Sequence, residues 1–253
     1  MALNIDKIGR PLARIDGGKY KGKIISVSDK TDDEITKDFT QIKLTDGKFQ
    51  WIPDTTTERT CAYITGASGS GKSYFIKEYC KEYKKVYKKR EIYMFSALTE
   101  DETMDTEIKL KRVKIDDTLI SDPINVEEFQ ESLVIFDDCD VIGNKKQREA
   151  VYTLLNQVLE VGRHHKISCC VVNHLATGGK DTRRILNECS VVVYFPHSGS
   201  LRQLRYLLEQ YVGLDKLDMV RAKKSKSRWA CVFKNYPQVM MTEKEMWLLS
   251  GDE

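Results

Sequence analysis

The stretch GASGSGKS, Gly66 to Ser73, restricts what this chain can fold into more than any other. Each position of a glycine, four residues and then Gly-Lys-Ser has a physical task. Gly66 and Gly71 permit backbone angles and a close approach that a β-carbon forbids. The N–H groups of Gly66, Ala67, Ser68, Gly69, Ser70 and Gly71, with those of a helix starting near Tyr74, converge on phosphate oxygens. Lys72 reaches the β- and γ-phosphates of a nucleotide, and Ser73 gives its hydroxyl to magnesium. The context agrees: CAYIT reads as a strand before the loop, and SYFIKEYCKEYKKVY reads as a helix after it. ATP and Mg2+ are therefore the expected cofactors.

From Cys61 onward apolar strands alternate with amphipathic helices, the pattern of an α/β domain with a mostly parallel sheet flanked by helices. The strands fall at Cys61–Thr65, Glu91–Ser96, Leu133–Phe136, Ile167–Val172 and Val191–Phe195. The periodicity predicts a helix over Tyr74–Tyr87, with Phe75, Ile76, Tyr79, Cys80, Tyr83, Val86 and Tyr87 on one face. A second covers Lys145–Val161, capped by Asn144 and ended by Gly162 in the left-handed conformation. A third spans Leu201–Tyr211, and Thr242 with Glu245 makes a capping box ahead of Met246, Trp247 and Leu248. Before about Pro53 the segments YKGKIISV, DFTQIKL and KFQWI alternate as short strands, and Asp46-Gly47 makes a hairpin turn between the last two. The expected organisation is a small N-terminal β-rich extension, residues 1–55, followed by a nucleotide-binding domain, residues 56–253.

A magnesium nucleotide needs a carboxylate at the end of another strand. LVIFDD supplies it: Asp137 to hold the metal through water, and Asp138 placed as a general base for the attacking water. Asp140 reads as solvated. In open α/β sheets the ligand sits beyond the carboxyl ends of the strands. Lys72, Ser96, Asp137 and Asn173 all fall at or just after such ends, which makes Asn173 a candidate sensor of the γ-phosphate or the attacking water.

The segment VGRHHKISCCVVNHL holds three of the chain's four histidines beside two cysteines, and it imitates a zinc site. Adjacent cysteines of a strand face opposite ways, however, and His164 and His165 lie a strand's length from His174. The segment divides better into a helix stop at Gly162, a turn carrying Arg163, and a strand delivering Asn173. Seven cysteines scattered in apolar segments suit a reduced compartment. No apolar run is long enough to span a membrane, and the first residues carry no secretion signal.

The formal charge of +3 is too small to identify a nucleic-acid partner, so local clusters must carry that argument. Lys77, Lys81, Lys84, Lys85, Lys88, Lys89 and Arg90 read as the solvated face of the first helix and its exit. RAKKSKSR, with Arg221, Lys223, Lys224, Lys226 and Arg228, reads as a flexible basic loop for a phosphate backbone. No base-reading motif is present.

ITGASGSGKS, EIYMFSALT, LVIFDDCD, EVGRHHKISCCVVNHL and RRILNECSVVVYF, in this order, resemble the FtsK–HerA superfamily of ATPases. They most resemble the poxvirus-type genome-packaging ATPases of large double-stranded DNA viruses and virophages. SKSRWACVFKNYP resembles the C-terminal strand of such proteins. Asp138 stands where many relatives have glutamate, and Asn173 where glutamine is frequent. The resemblance implies a RecA-like, additional-strand P-loop NTPase core that forms a ring, commonly a hexamer. It implies ATP-driven translocation of double-stranded DNA into a capsid through non-specific backbone contacts. It also implies a basic residue reaching the site from the neighbouring subunit, for which Arg163, Arg183 and Arg184 are the candidates. Capsid or portal-vertex proteins are the further partners, and the host cytoplasm with its viral factory, or the virion, the expected location. A nucleoside or nucleotide kinase and an ATP-gated, non-catalytic assembly protein are the alternatives.

Overall fold

The computed structural model describes residues 1–29, 37–176 and 180–249. Its packing divides the chain into two units, Met1–Glu58 with Ser190–Glu253, and Arg59–Cys189.

The first unit begins with β1 (Ala2–Asn4), β2 (Arg10–Asp16), β3 (Ile24–Ser28), β4 (Gln41–Lys43) and β5 (Lys48–Trp51). Four of these form an antiparallel sheet in the order β1-β3-β2-β5. The alternation read in KFQW puts Phe49 and Trp51 inside. The Asp46-Gly47 hairpin does not form. β4 and β5 belong to different sheets, and Gly47 (φ 77°) turns the chain from one to the other. A Cβ there would lie 2.7 Å from the Gly17 carbonyl oxygen, so the turn needs glycine.

The second unit runs β6 (Cys61–Thr65), α1 (Lys72–Val86), β7 (Ile92–Ser96), α2 (Glu102–Asp105), β8 (Lys111–Val113), α3 (Thr118–Ser121), β9 (Leu133–Asp137), α4 (Lys145–Val161), β10 (Ser168–Asn173) and α5 (Lys180–Glu188). Its strands are all parallel, in the order β6-β10-β9-β7-β8. β6, β9 and β10 are buried at every residue, which is why they read as unbroken apolar runs instead of alternating ones. The strand β10 lies between β6 and β9, pairing with both. This is the α/β, additional-strand arrangement expected of a P-loop NTPase.

α1 buries Phe75, Ile76, Tyr79, Cys80 and Tyr83 as its periodicity requires, while Val86 at its end is exposed. α4 spans the predicted residues, and the Asn144 side chain accepts from the Lys146 and Gln147 N–H groups. Gly162 ends it differently from the expectation. It is right-handed (φ −58°), and a Cβ would lie 2.2 Å from the Val158 carbonyl oxygen. Arg59, two residues before β6, donates to the Val158, Leu159 and Ile167 carbonyls and ties that helix end to the turn before β10.

The first unit closes with β11 (Val191–Tyr194), α6 (Leu201–Leu207), α7 (Lys216–Lys224), β12 (Ala230–Phe233), β13 (Val239–Thr242) and β14 (Glu245–Leu248). They pair antiparallel in the order β4-β14-β13-β12-β11. α6 continues into a π-helical turn, Leu208–Val212, that left-handed Gly213 stops. Thr242 and Glu245 cap no helix. The Thr242 hydroxyl does accept from the Glu245 N–H at 3.0 Å, but inside a hairpin whose second strand pairs with β13 and β4.

The basic runs also resolve. Lys77 and Lys81 pair with Glu107 and Lys85 with Glu82, while Lys84 donates to the Arg90 carbonyl. RAKKSKSR is not a loop throughout: Arg221 to Lys224 form the last turn of α7, with Ala222 buried. Arg221 stacks on Trp247 at 4.1 Å and donates to Gln41. Among the described residues no helix is long and apolar enough to cross a membrane.

Candidate active site

The phosphate loop joins β6 to α1 inside the second unit. Its left-handed glycines are Gly69 (φ 73°) and Gly71 (φ 105°), whereas Gly66 is not left-handed. Gly66 serves through its backbone instead: its N–H donates to the Asn173 carbonyl at 3.3 Å, tying the loop to the end of β10. α1 begins at Lys72 with no side-chain cap and no acidic residue in its first turn. The free N–H groups and positive end of the helix dipole therefore face the loop unopposed, which favours an anion there.

β6, β7, β9 and β10 bring their carboxyl ends together in register. Asn173 lies beside Thr65, Val172 beside Asp137, and Ser96 beside Asp137. Ser96 Oγ donates to Asp137 Oδ2 at 3.4 Å. Asp137 is only 7% exposed, and burial, with the nearby Asp138 charge, raises its pKa to about 6. Asp138 sits on a left-handed residue (φ 49°) whose N–H bonds the Val172 carbonyl. A non-glycine residue held this way stores strain, and here it turns the Asp138 side chain off the end of the strand. Burial also raises the Asp138 pKa, against the opposing influence of His174 and Lys72.

Lys72 is likewise 7% exposed, and burial lowers its pKa while Asp138, Asp137 and Asp140 oppose the change. Its ammonium donates to the carbonyls of Gly66 (2.8 Å) and Ala67 (3.3 Å) and lies 3.0 Å from His174 Nδ1. The other ring nitrogen of His174 is 2.8 Å from Asp138 Oδ2. Sequence reading weighed His174 only as a zinc ligand and set it aside. Its one signal was its position directly after Asn173, at a strand end aimed at the loop.

Lys72, Ser96, Asp137, Asp138 and Asn173 thus gather at one end of the sheet. Asn173 is buried, beside the Tyr63 hydroxyl. Asp140 is half-buried, not solvated. Arg163 lies elsewhere. It is exposed in the turn before β10, roughly 20 Å from Asn173 by strand rise, and makes no ion pair among the described residues. Arg183 and Arg184 are exposed on α5, where Arg184 pairs with Glu160 at 3.7 Å. His164 and His165 share the Arg163 turn, and Cys169 and Cys170 are buried in β10.

Ser73 and Asp137 offer hard oxygen donors of the kind Mg2+ takes. Asp137 is nearly sealed from water, and the Ser70 hydroxyl and Asp138 Oδ1 are buried without hydrogen-bond partners among the described residues. These groups fit a metal-bound polyphosphate that would bring both countercharge and partners.

No family model matches the sequence. The uncharacterized protein V3 of Sputnik virophage is 37% identical over 243 residues, spanning 95% of this chain and 96% of V3. The DNA-packaging ATPase B204 of Sulfolobus turreted icosahedral virus is 15% identical, with a TM-score of 0.51 over 76% of this chain and 98% of that one. The genome packaging NTPase B204 of Sulfolobus turreted icosahedral virus 2, in complex with sulfate, is 13% identical, with a TM-score of 0.52 over 77% and 99%. At such identities these two likenesses are of fold.

Proposed function

We propose, from the premise that this chain belongs to the family of Sputnik virophage protein V3, that it is an ATPase driving double-stranded DNA into a viral capsid. The observation that carries the reading is the gathering of Lys72, Asp137 and Asp138 beyond the carboxyl ends of β6 and β9, with β10 between. The fold shared with structures named as viral packaging ATPases supports it.

The residues divide the work. The loop N–H groups of Ala67, Ser68, Gly69 and Gly71 and the start of α1, through Ser73 and Tyr74, cradle the phosphates, while the Gly66 and Ser70 N–H groups brace the loop. Lys72 leaves its carbonyl partners for the β- and γ-oxygens, where a charged acceptor makes the stronger hydrogen bond. Ser73 and Asp137 would hold Mg2+, which supplies charge neutralisation across the phosphates as the γ-phosphoryl departs. Asp138 supplies the carboxylate of the base function, and Asn173 senses the γ-phosphate.

The exposed Arg163 turn cannot serve its own loop at such a distance. It suits a ring, a hexamer in the family pattern, in which an arginine (Arg163, Arg183 or Arg184) completes the next subunit's site. DNA is held by its backbone, at Lys223, Lys224, Lys226 and Arg228, without base reading. Capsid or portal-vertex proteins complete the machine, which works in the host cytoplasm or at the virion.

ATP turnover measured with and without double-stranded DNA, alongside oligomeric mass, tests the proposal. DNA-stimulated hydrolysis by an oligomer is expected, lost in Lys72→Ala. Transfer of phosphate to a nucleoside or nucleotide acceptor would sink it in favour of a kinase. Tight nucleotide binding with no turnover would sink it in favour of a switch.

A further inference from the structure

His174 bridges two residues that are 66 positions apart in the chain, Lys72 and Asp138. The ammonium of Lys72 can only donate, so Nδ1 of His174, 3.0 Å away, is the acceptor. The ring proton then sits on Nε2 and is donated to Asp138 Oδ2 at 2.8 Å. Both nitrogens are therefore assigned by their partners, and the ring is held in one tautomer and one orientation.

The three donors of Lys72 are all in use: Gly66 O, Ala67 O and His174 Nδ1. A polyphosphate in the loop draws the ammonium away, because charged phosphate oxygens are better acceptors than a neutral imidazole. That leaves the Nδ1 lone pair facing the phosphate end of the site, with Asp138 still holding the opposite nitrogen. Asp138 itself is poorly placed to take a proton from water, since its Oδ2 is committed to His174 and its Oδ1 is buried from solvent.

We infer that His174 is a catalytic residue, with Asp138 acting through it as the positioning carboxylate. The inference rests on the proposed ATPase reading. The attacking water donates one hydrogen bond to His174 Nδ1. Its oxygen forms a bond to the γ-phosphorus, while the bond from that phosphorus to the β-bridging oxygen breaks and its electron pair leaves with ADP. The water's proton passes to Nδ1, and the imidazolium so formed is stabilised by Asp138 through Nε2–H. The proton then returns to solvent or to the departing phosphate, restoring the neutral ring. The products are ADP and inorganic phosphate, with no other reactant.

The test uses the full chain and three variants, His174→Gln, His174→Ala and Asp138→Asn, plus the His174→Gln/Asp138→Asn double variant. Gln can still bond Asp138 but cannot take a proton. Turnover is measured with saturating Mg-ATP and DNA, nucleotide affinity with AMPPCP, and folding by circular dichroism. Both His174 variants should lose about 100-fold or more in kcat, within the usual worth of a general base, with the AMPPCP affinity changed less than about threefold. The double variant should be no more than about threefold slower than the slower single variant, because the two residues act as one unit.

Folded His174 variants that turn over at wild-type kcat while binding AMPPCP more tightly would overturn the inference, leaving His174 as a mere resting place for Lys72. A double variant 100-fold slower than either single one would also overturn it, because Asp138 would then act without His174. Wild-type protein with no turnover would remove the ATPase reading and this role together. Wild-type turnover beside unaffected His174 variants removes this role alone.

Discussion

Replacing Asp137 by asparagine should make the nucleotide-free protein more stable and, in the same step, inactive. The carboxyl has a pKa of about 6 in the fold against an ordinary 3.8, because burial and the Asp138 charge disfavour its ionised form. Below about pH 4 it is protonated in folded and unfolded chains alike. Between about pH 4 and 6 the unfolded chain releases the proton while the folded one keeps it, so this group's contribution falls as pH rises. Above about pH 6 the loss is complete. A difference of about 2 pKa units at 1.36 kcal/mol each gives at most about 3 kcal/mol. Asparagine keeps the shape and a partner for Ser96 but carries no charge. Urea melts of EDTA-treated, nucleotide-free wild type and Asp137→Asn, taken from pH 4 to pH 8, measure the difference. It should be near zero at pH 4 and grow to about 1–3 kcal/mol by pH 7, favouring the variant. The same variant should lose hydrolysis by about 100-fold or more, since Asp137 is the proposed metal ligand. A difference that stays flat between pH 4 and pH 7, or a variant less stable than wild type at pH 7, would refute the reasoning.

Gly162→Ala should cost about 1–3 kcal/mol in denaturant melts, because its Cβ meets the Val158 carbonyl oxygen at 2.2 Å. Lys72→Ala should abolish turnover without changing the circular dichroism spectrum, since among the described residues the Lys72 ammonium bonds only the loop and His174. Excess Arg163→Ala, Arg183→Ala or Arg184→Ala protein mixed into wild-type rings should, for one of the three, suppress turnover at least tenfold. Normal turnover with all three would discard a shared site.

The phosphate loop and the Asp137 strand were legible because their chemistry is written in consecutive residues. GASGSGKS needs no distant partner to be understood, and LVIFDD signals a buried strand ending in acid. His174 was illegible for the opposite reason. Nothing in NHL announces an imidazole placed between Lys72 and Asp138, since that meeting depends on β10 lying next to both β6 and β9. The Thr242–Glu245 spacing misled because a hydroxyl bonding the N–H three residues on occurs in a tight hairpin as well as at a helix start. Pairing with β13 and β4, made with segments as distant as Gln41–Lys43, decided between them. Asp46-Gly47 failed likewise: the turn was real, but tertiary pairing sent its two arms to different sheets. Gly162 was read for its freedom of angle when what mattered was its lack of a side chain.

The position of β10 has a mechanical meaning. A central strand hydrogen-bonded along both edges cannot creep, because a one-residue slip would turn every side chain to the wrong face of the sheet. It behaves as a strut. One end carries Asn173 and His174 against the nucleotide loop, clamped there by the Gly66–Asn173 bond; the other emerges in the turn bearing Arg163. Because neither edge can slide, the strand itself sets the spacing between the phosphate loop and the Arg163 turn, with no flexible linkage in between.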